Sequence, residues 1–379
     1  MRRALLALLL LLVGTMSGNT APTKSSDRPL VFITSFAAGG DGAIHAFRLD
    51  PSAGTLTPAR RNGGVEHPFF LALSPDRRFL YSIHARQFGG SDPEEVAAYA
   101  VDRATGELTL LNRQSSRGTS SCYLEVDATG KTVLVANYST GSVAALPVRG
   151  DGSLGEAASF VQHAGAGVNP QRQEGPHAHC IVRSPDNRFA FAADLGLDQV
   201  VSYRLDAGRA KLTPGRQPFA RTPAGAGPRH LTFHPNGRFV YVINELANSV
   251  TRFDYDPKTG FLIERQTIST LPADFDRTSH CADLKITPDG RFLYGTNRGD
   301  DSIAVYRIAE NGDLTLVEIR PGLGAGPQNL ALVGGKLLLC ANMPGNNVAV
   351  FRIDPKTGRL TPVGAPMEVK SPSCIQVVE

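Results

Sequence analysis

Two histidines one residue apart, His177 and His179, precede an Arg-His pair, Arg229-His230, and then Glu245, His280, Asp283 and Arg298. Guanidinium groups bind anions and hold the oxyanion that develops when a carbonyl is attacked. A carboxylate or an imidazole takes a proton from water. These residue types together suit acid–base work on a small anionic or lactone substrate. Glu245 or His179 takes the proton, and the arginines polarise the carbonyl. His177 and His179 alternate along a strand, so their rings share a face. With His230 and His280 they make a candidate metal set. No established ligand spacing is present, however, and the nearby arginines repel a cation, so neither a metal nor a cofactor is expected. Other chemistries lack their motifs. The Ala-Gly-Ala-Gly stretches have no Lys-Ser/Thr ending and no following helix, as a phosphate loop requires. No Gly-x-Ser-x-Gly elbow occurs, and no CxxC.

Residues so far apart in sequence meet only if a repeating framework brings them together. A unit of about fifty residues recurs, marked by an Asp-rich turn: Asp50-Pro51 to Leu56, Asp102 to Leu108, Asp256-Pro257 to Leu262 and Asp354-Pro355 to Leu360. Seven apolar stretches form the second strand of each unit: Val31–Ser35, Phe79–His84, Val133–Asn137, Phe189–Asp194, Phe239–Asn244, Phe292–Asn297 and Leu337–Asn342. Pro-Asp or Pro-Asn turns precede most of them, with a shorter strand before the turn and two after. Seven units of four short antiparallel strands give an all-β, seven-bladed β-propeller. No first strand precedes Val31, whereas a tail, Pro372 to Val378, follows the seventh unit. That C-terminal strand is expected to close blade one.

Aligning the seven units isolates the columns that depart from regularity. At the start of the innermost strand the residues are Phe69, Cys122, His179, Arg229, Ala282, Gln328 and Ser373. Just past the second strand they are Phe36, Ala85, Tyr138, Leu195, Glu245, Arg298 and Met343. The first and second strands are antiparallel, so both columns flank one rim of the axial channel. His177, His179, Arg229, His230, Glu245, His280, Asp283 and Arg298 therefore converge there. The intervening column, Ser35, His84, Asn137, Asp194, Asn244, Asn297 and Asn342, reads as turn capping through side-chain-to-backbone bonds. The loop from His163 to Pro176 is long and polar, and lines or covers the entrance.

The segments Val135-Ala136-Asn137-Tyr138, Gly175-Pro176-His177-Ala178-His179, Gly227-Pro228-Arg229-His230, Val242-Ile243-Asn244-Glu245 and Asn297-Arg298 resemble those of the seven-bladed lactonases. That family includes the bacterial propeller type of 6-phosphogluconolactonase and the fungal carboxy-muconate cyclising enzyme. The resemblance covers residues 28 to 378. It implies a lactone-opening hydrolase with Arg229 and Arg298 binding and polarising the substrate, Glu245 as general base and His179 as proton carrier. His177, His230, His280, Asp283, Gln328 and Tyr138 are expected around the substrate. Gln328 stands where the familiar motif has Arg, which removes one anion contact. Two other functions fit the same architecture: a secreted propeller that binds a ligand without turnover, and a cyclising enzyme that forms a lactone from an unsaturated dicarboxylic acid.

Bulk properties bound the rest. Met1-Arg2-Arg3 followed by the apolar run Ala4 to Val13 reads as a secretory leader over residues 1–21, with a linker over 22–27 and one propeller domain over 28–379. Export to the periplasm or beyond is expected, without a stable membrane anchor. Removing the leader takes both arginines, leaving 37 basic against 35 acidic residues (39 − 2 = 37), a net charge of +2. No basic patch points to nucleic acid, and a monomer is expected. The five cysteines, Cys122, Cys180, Cys281, Cys340 and Cys374, all fall in strand-like stretches and read as buried free thiols.

Overall fold

The second strands explain the architecture. Thr132–Asn137, Phe189–Asp194, Phe239–Asn244 and Leu337–Asn342 are buried at every residue. A strand apolar on both faces must lie inside a sheet that is itself covered on both sides. In the computed structural model, which describes residues 28–379, seven antiparallel sheets satisfy this by packing face to face in chain order. The expected leader and linker lie outside the described residues. Six sheets have four strands. In the seventh the outer strand is split into Leu360–Pro362 and Met367–Glu368, both paired with Asn347–Ile353.

The first strands of successive blades touch one another in an unbroken cycle. The cycle closes because Ile375–Val378 pairs with Leu30–Ser35, in the register Leu30 to Val378 and Ile33 to Ile375. The Thr34 hydroxyl fixes that register by accepting the Cys374 amide at 2.8 Å. Blade one is thus built from both ends of the chain, and the edge that Leu30–Ser35 would otherwise present is covered.

The turn between the third and fourth strands, Asp-rich in four of the units, proves to be a latch between blades. Gly312, in such a turn of blade six, adopts φ 87° and lies against Phe239 of blade five. A Cβ added there would stand 2.8 Å from the Phe239 ring and from Arg252 Nε. Its carbonyl accepts the Tyr241 hydroxyl at 2.6 Å. The same pairing joins Tyr81 to Gly152 and Tyr294 to Gly358. The aromatic residues of one second strand therefore read the turn of the next blade. The Asn column caps backbone as expected at three positions, Asn137, Asn297 and Asn342 donating to the Ser116, Thr270 and Gly322 carbonyls, and it also bonds side chains. Asn137, Asn244 and Asn297 each donate to the serine five residues on, Ser142, Ser249 and Ser302, and Asn342 donates to Asn347.

Gly312→Ala combines a left-handed backbone with overpacking, and should cost about 2–4 kcal/mol. Gly208→Ala, where the added carbon meets only the Asp206 carboxylate at 3.5 Å, should be near neutral. Thermal unfolding of the two variants, read as a fall in Tm of several degrees for the first alone, checks the latch.

Candidate active site

The first strands do not run regularly. Their pairing with the second strands skips at Cys122, His179, Arg229 and Gln328, and across Ala282 and Asp283 in blade six. All but Asp283 are members of the irregular column. A bulge leaves one residue out of the ladder and re-aims its side chain. Here the re-aimed side chains meet across neighbouring blades at one rim of the channel. The Cys122 sulfur lies 3.5 Å from His179 Nδ1, and Arg229 Nη1 donates to the Ala282 carbonyl at 2.6 Å.

Glu245 follows the second strand of blade five and is the centre of the cluster. Its Oε2 accepts from Arg229 Nε at 3.0 Å and Arg298 Nη2 at 2.8 Å, and its Oε1 accepts from Arg172 Nη2 at 2.7 Å. Burial alone would raise the Glu245 pKa. The charges of Arg298 and Arg229 outweigh it and hold the carboxyl well below the usual carboxylate range. Arg229 is only 1% exposed, and burial and the charge of Arg298 pull its pKa down. Three guanidiniums against one carboxylate leave an excess of two positive charges (3 − 1 = 2). Arg172 and Arg298 retain 35% and 28% of their side-chain exposure, so they present this charge to solvent.

Arg229 is held from beneath. Its Nη1 faces His230 Nε2 at 3.1 Å, and His230 Nδ1 faces an Asp283 oxygen at 2.9 Å. Since Arg229 only donates, His230 accepts at Nε2 and donates from Nδ1 to Asp283. Asp283 also accepts from Lys285 Nζ at 2.7 Å, Asn329 Nδ2 and the Leu330 amide. Burial, then the Arg229 charge, brings the His230 pKa down to about 4. His230 and Asp283, expected at the substrate, stand one layer deeper, where each is almost wholly buried. Phe70 and Tyr123 pack around His230 at that depth, their rings 4.4 Å apart.

The remaining predicted residues surround the cluster. His179 is buried, and burial, with the charges of Arg229 and His230, holds its pKa well below that of an ordinary histidine, so the ring is neutral. Its Nε2 has no hydrogen-bond partner among the described residues. His177 stacks on Tyr138 with ring centroids 4.5 Å apart, and its Nδ1 lies 3.1 Å from the Tyr138 carbonyl. Arg298 Nη1 donates to Gln328 at 3.4 Å and Arg298 Nε to the His280 carbonyl at 3.3 Å. Blades four and five are tied by Asp198, whose Oδ1 accepts from Gln173 Nε2 at 2.7 Å and from the Gly227 amide at 2.8 Å. This fixes the 163–176 loop to the strand that carries Arg229. Arg172 is the residue that column comparison missed. It sits in that loop, which has no counterpart in the other units, and the only signal was a basic residue in a long insertion.

Two other features do not compete with this site. Among the described residues no group of three or more His, Cys, Asp or Glu side chains is placed to hold a metal ion. A 760 Å³ groove lies at the opposite rim, but its arginines are committed to structure. Arg48 donates to the carbonyls of Arg28, Arg103 and Ala104, and Arg352 to that of Ser52.

Comparison with known proteins places this geometry among relatives. Residues 30–377 match the family described as lactonase, 7-bladed β-propeller. A 6-phosphogluconolactonase of Bacillus subtilis is 36% identical over 347 residues, covering 91% of this chain and 97% of the relative. One from Formosa agariphila is 31% identical, covering 92% and 99%. The structure of the Pseudomonas aeruginosa periplasmic gluconolactonase superposes with a TM-score of 0.86 at 33% identity, covering 93% of this chain and 99% of that one.

Replacing Glu245 by Gln strands Arg229 in the interior without an anion, and should cost about 3–5 kcal/mol of stability. Arg172→Ala, at a half-open position, should cost less than about 1 kcal/mol. Denaturant unfolding of both variants checks the asymmetry. Stability should also fall on acidification from about pH 6.5 towards pH 4. In that window the unfolded chain protonates His230 while the folded chain keeps it neutral. His230→Gln should make the profile of Tm against pH shallower over that range, the buried neutral His179 supplying part of the slope that remains.

Proposed function

Because the chain belongs to the seven-bladed β-propeller lactonases, we propose that it hydrolyses a sugar-type lactone at the Glu245 rim. The observation that carries this reading is the excess of guanidinium over carboxylate beside a neutral, buried imidazole. Such a site binds a carbonyl oxygen better as it becomes an oxyanion, which is the requirement for lowering an acyl-transfer barrier.

The roles follow from the electrostatics. Glu245, tied by three arginines, is a weak base, and its work is to keep those arginines charged, aimed and close together. His179 is the better acceptor, being neutral with Nε2 open. It takes a proton from water as the water oxygen bonds to the lactone carbon, and the carbonyl electrons move to the oxygen facing Arg298 and Arg229. When the carbonyl reforms, the bond to the ring oxygen breaks and that oxygen takes the proton from His179. The hydroxy acid leaves as a carboxylate. Asp283 and His230 act through Arg229 as positioning residues. No step calls on a metal. The Pseudomonas relative is a periplasmic enzyme, and a basic and apolar start to this sequence fits export to the same kind of compartment.

Proton release from glucono-1,5-lactone and from its 6-phosphate, corrected for spontaneous hydrolysis, tests the activity. Turnover should persist in the presence of a chelator. Arg298→Ala should lower kcat about 10²–10³-fold, and His179→Gln about 10²–10⁴-fold. Full activity in both variants would sink the assignment. With His179 as base, kcat/KM should stay level from pH 8 to about pH 6 and decline only at lower pH, because the acid limb lies below the ordinary histidine range.

A further inference from the structure

Across the channel from the arginines, the same rim is aromatic. Phe36 and Phe69 occupy, in blades one and two, the same columns that hold Glu245, Arg298 and Arg229 in blades five and six. Phe88, from the loop after Phe79–His84, completes a trio with centroids 5.3 Å (Phe36 to Phe69), 5.1 Å (Phe36 to Phe88) and 5.1 Å (Phe69 to Phe88) apart. All three rings are partly exposed. His67 packs on Phe36 at 5.2 Å, with its Nδ1 2.8 Å from the Ala85 carbonyl.

The wall is built rather than collapsed. Glu94, buried to 3% exposure, accepts the Gly89 amide at 3.1 Å and the Ser121 amide at 2.6 Å. This staples the loop carrying Phe88 to blade three. The Ser373 hydroxyl, on the closing segment, donates to the Phe69 carbonyl at 2.9 Å. Three clustered phenyl rings left partly exposed at the rim that also carries the arginines, rather than withdrawn into the core, mark a ligand contact. Phenylalanine offers no hydrogen bond, so what it covers must be a carbon-rich face. The lactone carbonyl is drawn to the arginines of blades five and six, so the face over blades one and two belongs to the remote end of the substrate.

We propose that Phe36, Phe69 and Phe88 form a ring-stacking subsite, and that the lactone opened here carries a second ring which lies on it. The proposal rests on the lactonase reading of the Glu245 rim. A sugar ring, through its C–H face, and an arene share the required chemistry. Three substrates separate them: glucono-1,5-lactone, cellobiono-1,5-lactone and δ-phenyl-δ-valerolactone. From wild type to Phe88→Leu, kcat/KM should fall about tenfold on a ring-bearing lactone, mainly through KM, and less than about twofold on the bare one. Phe88→Tyr should restore it, since flatness is what counts. The ring-bearing lactone that loses more names the source of the ring. Equal losses on all three, or none, would overturn the subsite. Calorimetric affinities of gluconate and cellobionate, and of the phenyl hydroxy acid, need no turnover and keep the two ideas apart. Absence of hydrolysis with a Phe88-dependent preference for a ring-bearing acid removes the lactonase reading alone. Hydrolysis with equal affinities removes the subsite alone.

Discussion

A propeller has nothing at its axis until its ring is closed, and here one short strand closes it. Thr34 and Cys374, 340 residues apart in sequence, are hydrogen-bonded neighbours. Every distance across the channel depends on that junction. The side chains around Glu245 come from the loop before blade four and from blades five and six, and the aromatic wall comes from blades one and two. No two of these units share a sheet. The ring converts seven locally stable sheets into one rigid frame, and only a rigid frame holds several like charges at hydrogen-bond distance.

Those like charges are the costly part of the molecule. Burying a guanidinium is unfavourable unless an anion and further acceptors meet it. Arg229 receives a carboxylate from its own blade, a carbonyl from the next blade and an imidazole nitrogen from below. Its surroundings therefore specify its direction and charge before any substrate arrives. In the proposed reaction, electrostatics of this kind would act through preorganisation, since the donors need not move when charge develops. The bulges in the first strands are the local device that makes this possible. They turn side chains at a column that would otherwise alternate into and out of the sheet.

Most of the frame was legible in the sequence because its causes are local and repeated. The seven apolar runs, the turns before them and the unmatched tail each recur or complement one another, and the strands lie where the repeats put them. Arg229, Glu245 and Arg298 were legible for the opposite reason, as exceptions within regular columns. What could not be read was anything without a repeat partner. Arg172 belongs to an insertion, and the depth of His230 and Asp283 depends on where each bulge falls. The aromatic wall was hidden because phenylalanine in a propeller column looks like core. Only the geometry shows Phe36, Phe69 and Phe88 clustered and partly exposed.

The five cysteines sit on five different blades, each buried and unpaired. Burial pushes the thiols of Cys180, Cys281 and Cys374 up to about 12, so the folded molecule offers almost no thiolate. The unfolded chain has no such protection, and its thiols ionise near their ordinary value. In an oxidising compartment the two states therefore have different chemical fates. A chain that closes its ring keeps its sulfur inert. A chain that lingers open is cross-linked between residues that never meet in the native state. Five is an odd number, so even complete internal pairing leaves one sulfur for another molecule. In such a compartment, folding speed rather than equilibrium stability would set how much of the protein survives.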